Sequence, residues 1–490
     1  MTIIPPFHFP VGKSSIKHDR HILNTITTVK QIYNYRPHLT ESQFIPVSKA
    51  CGLPRYLNMA FFRKLESIGK METRVTFSAF LEGWTSIARN KFNDDSLFFN
   101  VLKKQNCNWI SPEDLLPVLE DVVLNHPGLK FLGDNPLFQE RYIETVICRI
   151  YYDGRCAHGR MTLTHFRNCN FTQMIKNLNP DVDLNNTRDC FSYKHFYVLY
   201  CKFWVLDEDH DLIISESDLL NYNDGLLSAN ITTQVMQHGR ISAFARDDHL
   251  QETVLTYLDY IWFLISETDK STPVAIEYWF RCMDEDGDGV ITTYDLSQHW
   301  NDQDKKLQDI IESYSDECIR FDDIICQMND LIQPEVPGQF RLRDLKRNGT
   351  IAERFFDTFL NIEKFQIHDT YQGLIRSIHN HKRNEKPGLC QLIADHYRVP
   401  FSLGLWCDYA EQEYELLILS EQCSGSDSDW SVQNTDESIE NDFFIDQQES
   451  SDHESDSSAP STPVMQDSNQ NWKDEKVNEK SNWIWHSVSP

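Results

Sequence analysis

Between residues 41 and 420, apolar positions recur mainly every three or four residues, the spacing that builds one buried face on an α-helix. Tyr193, Phe196, Tyr197, Tyr200, Phe203 and Trp204 trace one such face, and Ile276, Trp279, Phe280 and Met283 trace another. Residues 140–150 continue the pattern behind a breaker cluster of Gly133, Asp134, Asn135 and Pro136. Long alternating runs are missing, so the chain is expected to be mainly α. Residues 1–40 hold no sustained period and read as a lead-in.

A second pattern lies over the first. An apolar residue, usually followed by Ser or Thr, precedes a Phe, Leu or Ile five positions on. It occurs at Val75-Thr76 with Phe80, Ile110-Ser111 with Leu115, Met161-Thr162 with Phe166, Ile214-Ser215 with Leu219 and Ile291-Thr292 with Leu296. A weaker copy is Ile319-Arg320 with Ile324. In one copy the chemistry is explicit. Residues 284–295 read DEDGDGVITTYD: Asp284, Asp286 and Asp288 stand at loop positions 1, 3 and 5, and Gly289 takes the sharp turn at 6. Val290 at position 7 offers its carbonyl, Thr292 at position 9 acts through a water, and Asp295 closes the site at position 12. This is the twelve-residue EF-hand loop, which suits a hard cation because alternate residues of a tight turn point oxygens at one centre. Ile291 is the residue that would bridge to a second loop. Asp295 is one methylene shorter than the usual Glu, so calcium is expected to bind more weakly and Mg2+ to compete better.

Residues 207–218 (DEDHDLIISESD) repeat the scheme with Asp207, Asp209, Asp211, the Ile213 carbonyl and Asp218. Leu212 stands where the turn wants Gly and is expected to be strained. This loop either holds an ion or keeps the EF-hand shape by packing alone. The copies without alternating carboxylates read as EF-hands that kept the fold and lost the ion, and each acidic loop is expected to pair with such a neighbour. One of them offers Cys156 and His158 where Asp would be needed. His158, His165 and His195 are read as surface or core histidines, since none stands at a productive spacing from a second ligand.

The expected architecture is an elongated array of EF-hand and degenerate EF-hand-like helical pairs. Residues 1–40 form the lead-in, 41–190 an N-terminal helical region with degenerate units, 191–420 the EF-hand core region, and 421–490 an acidic, Ser-rich disordered tail. That tail holds sixteen Asp or Glu against three Lys, too little apolar surface and too much self-repulsion to order. Over the whole chain 74 acidic residues face 46 basic ones, a formal charge of −28. Nucleic acid and anionic membrane are thereby disfavoured as partners. The most apolar stretch, residues 257–265, is about half a bilayer span and contains Asp259. The N-terminus has no signal-peptide pattern. Thirteen cysteines without a CxxC suggest reduced thiols. No GxSxG, P-loop, HExxH or kinase glycine loop occurs, so no enzymatic activity is expected.

Several longer stretches carry a resemblance: HPGLKFL at 126–132, FSYKHFYVLYCKFWVLDEDHDL at 191–212, WFLISETDK at 262–270 and IEYWFRCMDEDGDGV at 276–290. It continues in EVPGQFRLRDLKR at 335–347, RFFDTFLNIEKF at 354–365 and WCDYAEQEYE at 406–415. In these the chain resembles the B-double-prime, EF-hand family of protein phosphatase 2A regulatory subunits, over roughly 42–420. The resemblance implies a non-catalytic subunit that binds the HEAT-repeat scaffold and the catalytic subunit, chooses phosphoprotein substrates and places the complex in the cell. It carries both sets of loop aspartates over as calcium ligands. The family tolerates the Leu212 and Asp218 choices but usually has Glu where Asp295 stands. A cytoplasmic location is expected, with nucleus and centrosome as alternatives. A free calcium sensor, and a structural adaptor at centrosome or spindle, are the competing readings.

Overall fold

The computed structural model describes residues 16–70, 73–89, 93–244, 254–311, 319–368 and 405–424. The tail expected from residue 421 lies outside them beyond 424. The chain divides into two compact units, one of residues up to Phe191 and the other beginning at Ser192. Both are mainly helical, as the apolar spacing predicts.

Among the described residues, six short strands make three antiparallel pairs: β1 (His38–Leu39) with β2 (Val75–Thr76), β3 (Ile213–Ile214) with β4 (Leu255–Thr256), and β5 (Val290–Thr292) with β6 (Gln339–Arg341). A fourth pairing is a single bridge, in which the Ile110 and Met161 backbones exchange hydrogen bonds of 2.9 and 3.0 Å. Each unit therefore contains two EF-hand-type pairs. Leu39 faces Val75, Ile110 faces Met161, Ile214 faces Leu255 and Ile291 faces Phe340. All eight are buried. Five residues after each comes another buried side chain: Phe44, Phe80, Leu115, Phe166, Leu219, Tyr260, Leu296 and Leu345.

Five of the expected copies take part. The weak sixth does not: Arg320 N-caps the helix Phe321–Ile332, and the partner of Ile291 is Phe340. Residues 16–39, inside the expected lead-in, supply the helix Ile16–Tyr33 and β1. As expected, each acidic loop bridges to a loop without the carboxylate pattern.

The helix starts that follow the bridges share one device. The residue after the bridging position N-caps the helix, and the side chain three residues on returns to its backbone N–H. Asp114, Asp218, Asp259, Asp295 and Asp344 accept from the N–H of Ser111, Ser215, Thr256, Thr292 and Arg341 at 2.7–3.2 Å. Gln43 does the same for Thr40.

In the second unit the stretches WFLISETDK and RFFDTFLNIEKF meet in a buried ionic knot. Lys270 Nζ lies 2.9 Å from Glu267 Oε1 and 3.0 Å from Asp357 Oδ1, with 1% of its side chain exposed. Lys364 Nζ reaches the same Glu267 carboxylate at 3.1 Å and the Glu267 carbonyl at 2.8 Å. Asn361 donates to Glu267 as well, and His368 pairs with Asp357 at 2.9 Å. Burial alone would raise both carboxyls, but the two ammonium groups hold Glu267 and Asp357 below the usual range. The Lys270 ammonium also sits over the Trp279 ring, 5.4 Å from its centroid. Trp279 belongs to Pro273–Met283, the helix that leads into the 284–295 loop. The helix Trp406–Ser424 closes the unit from another side, packing Trp406 on His195 and Tyr414 on Tyr197, with Lys202 paired to Glu413 at 2.8 Å.

Two predictions arise from the knot. Replacing Lys270 by Ala leaves buried Glu267 with Lys364 as its one cation and Asp357 with His368 alone, and is expected to cost about 3 kcal/mol or more of unfolding free energy in urea titrations. Glu353 is a different case. Burial, with Asp357 and Asp269 nearby, pushes its carboxyl up to about 8, against the pull of Lys270 and Lys364. The folded chain therefore keeps a proton that the unfolded chain releases above its ordinary pKa, and stability falls as pH climbs from about 5 to about 8. Glu353→Gln is expected to abolish that fall, seen as a melting temperature that overtakes the parent's as pH rises; parallel profiles would refute it.

Candidate metal centres

Each acidic loop starts where a helix stops. Asp207 is the C-cap of Tyr193–Leu206, and Asp284 is the C-cap of Pro273–Met283. Both side chains are then fixed by the loop's own backbone. Asp207 Oδ2 accepts from the Leu212 N–H at 2.9 Å, and Asp284 Oδ2 accepts from the Gly289 N–H at 3.0 Å. The third and fifth positions repeat this at shorter range: Asp209 takes the Asp211 N–H, Asp211 takes the Ile213 N–H, Asp286 takes the Asp288 N–H and Asp288 takes the Val290 N–H.

The result is two clusters, Asp207 with Asp209 and Asp211, and Asp284 with Asp286 and Asp288, in which one carboxylate oxygen of each lies within 4.8 Å of the others. In each, the first Asp is buried and the other two are exposed. The inner oxygens, Asp207 Oδ1 and Asp284 Oδ1, are buried and accept no hydrogen bond. Burial raises both carboxyls above their usual range, and the neighbouring aspartates add to the shift while backbone N–H groups oppose it. A hard divalent cation would satisfy the orphaned oxygens and cancel the mutual repulsion, so the donor set fits calcium.

The turn at position 6 differs between the loops. Gly287 and Gly289 take φ of 71° and 84° in the second loop. In the first the same left-handed positions are held by His210 at 57° and Leu212 at 69°, a cost of about 1–2 kcal/mol for each non-glycine residue. His210 recovers part of it by stacking on Trp204, with ring centroids 3.9 Å apart. The strain expected at Leu212 is therefore present, and the loop closes regardless.

Position 12 lies outside both clusters. Asp218 Oδ2 accepts from Ser215 N–H and hydroxyl at 2.8 and 2.6 Å, and Asp295 Oδ2 accepts from Thr292 N–H and hydroxyl at 2.7 and 2.8 Å. The same side chain that would close the ion site thus caps the exiting helix. The carbonyls of Ile213 and Val290 belong to β3 and β5, which tie both loops to their partners.

Among the described residues a third cluster appears whose members stand apart in the sequence. Cys156, His158 and His165 bring a sulfur and two ring nitrogens within 4.8 Å of one another. Counted from Met161 at position 8 these are loop positions 3, 5 and 12, so His158 and His165, expected to lack a productive spacing from a second ligand, do meet Cys156 once the Ile110–Met161 bridge folds the loop. His195, by contrast, is a core histidine, wholly buried against Trp406. No described helix is long and apolar enough to cross a membrane.

Paired helix–loop–helix units, bridged at position 8 and carrying two aspartate-lined loops, define an EF-hand protein. An EF-hand domain family model matches residues 93–181, and an EF-hand domain pair matches 196–299; such domains imply calcium binding. The chain is 38% identical over 422 residues to the alpha form of the human B'' regulatory subunit of serine/threonine-protein phosphatase 2A, covering 85% of this chain and 34% of that one. It is 37% identical to the human beta form, covering 85% of this chain and 68% of that protein. The mouse delta form is 33% identical, with 87% and 82% covered. Among solved structures, a chain of a PP2A PR70 holoenzyme matches at 45% identity and a TM-score of 0.50, over 56% of this chain and 99% of that one. The chain belongs to the B'' family of protein phosphatase 2A regulatory subunits. It spans about a third of the alpha relative's length. These relatives are named as regulatory subunits, not as catalytic ones.

Asp295→Glu is expected to tighten calcium binding to the second loop by about tenfold. The longer side chain reaches the ion without giving up Thr292. Titration calorimetry on the full chain checks this, and an unchanged affinity would show that reach at position 12 is not the constraint.

Proposed function

We propose that this chain is a non-catalytic regulatory subunit of a protein phosphatase 2A holoenzyme. It binds the HEAT-repeat scaffold and the catalytic subunit and directs the latter to chosen phosphoprotein substrates. The observation that carries this reading is the 45% identity to a chain of the PR70 holoenzyme, with 99% of that chain covered. The B'' relatives support it over 85% of this sequence.

In this reading the two aspartate loops are calcium sites that stiffen helix pairs between docking surfaces. An ion drawing in positions 1, 3 and 5 restrains the angle between entering and exiting helices. It alters assembly to the extent that it binds the free and assembled chain differently. The short Asp218 and Asp295 side chains leave room for Mg2+ to compete. The cytoplasm is the proposed site of action, with delivery to nucleus or centrosome.

Tagged full-length chain, mixed with purified scaffold and catalytic subunits, is expected to capture both in equal amounts, with recovery changed by a calcium chelator. Recovery of neither, with or without chelator, would leave the free calcium-sensor reading in its place.

A further inference from the structure

The hand built on Met161 has the frame of a calcium loop and none of its carboxylate ligands. Counting back from Met161 at position 8, position 1 is Gly154, position 3 is Cys156, position 5 is His158, position 6 is Gly159 and position 12 is His165. Gly159 takes the left-handed turn at φ 75°. The two histidines stand in for loop carboxylates bond by bond. His158 Nδ1 accepts the Arg160 N–H at 3.2 Å, as Asp211 and Asp288 accept the N–H two residues on. His165 Nδ1 accepts the Thr162 N–H at 3.4 Å, as Asp218 and Asp295 accept theirs. Cys156 Sγ lies 3.6 Å from His158 Nδ1, and the two imidazole centroids are 5.4 Å apart.

We infer that this loop is a zinc site, with Cys156, His158 and His165 as ligands and water in a fourth position. One thiolate and two imidazoles suit a borderline-soft ion that takes four ligands, whereas calcium needs six to eight oxygens. The groups converge within 4.8 Å without rearrangement of the backbone. Entry is open, since His158 is exposed and His165 half-buried, while Cys156 is buried at the floor. The guanidinium of Arg160, two residues past His158, is held over the Trp109 ring at 5.2 Å. Burial pushes the Cys156 thiol up to about 11, while backbone N–H groups of His158, Gly159 and Arg160 face the sulfur and favour its thiolate. A cation at the sulfur supplies the remaining stabilisation. Binding releases the thiol proton to solvent as the S–Zn bond forms, and each neutral imidazole turns its one lone pair from the Arg160 or Thr162 N–H to the ion; no oxidant or reductant is needed.

The partner loop of this hand is closed to metal. Lys103 stands at its position 1 and donates from Nζ to the Cys107 carbonyl at 2.6 Å. The pair would hold one zinc, not two.

The test uses the intact chain, stripped with chelator and titrated with Zn2+ against a chromophoric competitor. A Co2+ titration, read by thiolate-to-metal charge-transfer absorption, runs in parallel. The parent is expected to take up one zinc that the Cys156→Ser and His165→Ala variants lose, with affinity reduced at least about a hundredfold. Cys107→Ser, which removes a thiol in the partner loop of the same pair, is expected to retain it, and excess calcium to leave it in place. Circular dichroism of the metal-free proteins separates lost ligands from lost fold. Equal zinc uptake by the parent and a well-folded Cys156→Ser, His165→Ala double variant would overturn the assignment, as would a Co2+ spectrum without the thiolate band.

Discussion

Everything in this chain rests on the backbone exchange at loop position 8. An isolated helix–loop–helix buries too little to stand alone, and its loop leaves polar backbone groups to satisfy. Bridging two loops through Ile214 and Leu255, or Ile291 and Phe340, satisfies those groups and buries two apolar side chains at once. The bridge also fixes the register of the exiting helix, which begins at the next residue with a capping box. Bridge and cap together hold a loop in EF-hand form whether or not an ion is present. That is why the Met161 and Ile110 loops keep the geometry without the alternating carboxylates.

The second unit adds a constraint of another kind. Glu267 accepts from two ammonium groups and an amide, and Lys270 reaches across to Asp357, so separate pieces of chain meet at one buried point. Such a cluster contributes little net stability relative to an apolar replacement, yet leaving any member unpaired is costly. Its effect is to make the packing specific. Because Trp279 rests against Lys270 and donates to the Ser266 carbonyl at 2.8 Å, the helix entering the 284–295 loop is set by the knot. The ion site is therefore positioned from the protein interior.

Legibility in the sequence followed the same physics. The 284–295 and 207–218 loops could be read because their ligands lie on alternate residues of one short segment. The helices could be read from their apolar spacing. Three of the eight bridging residues escaped for separate reasons. Leu39 carries the full pattern, with Thr40 and Phe44, but sits where periodicity had not yet begun. Leu255 leads to Tyr260 instead of Phe, Leu or Ile, and Phe340-Arg341 with Leu345 has the same weak form as Ile319-Arg320 with Ile324, which sequence alone does not separate. Arg341 still caps its helix through its backbone N–H to Asp344, a role that any residue type except proline can fill. The Cys156, His158 and His165 cluster stands at loop positions 3, 5 and 12 and is masked because thiol and imidazole occupy places usually held by carboxylate.

That last substitution shows what position 12 has to do. Wherever it is polar its first duty is to the helix, accepting the N–H three residues before it: Gln43, Asp114, His165, Asp218, Asp259, Asp295 and Asp344 all do so. An ion can claim only what that bond leaves over. A Glu has the reach to serve both, whereas Asp295 commits one oxygen to Thr292 N–H and hydroxyl together. An imidazole at position 12 has one lone pair, which serves the cap in His165 and would have to leave it for an ion. A single frame, held by bridge and cap, thus presents oxygen donors in two loops and sulfur and nitrogen donors in a third, and at position 12 the same side chain answers to both helix and ion.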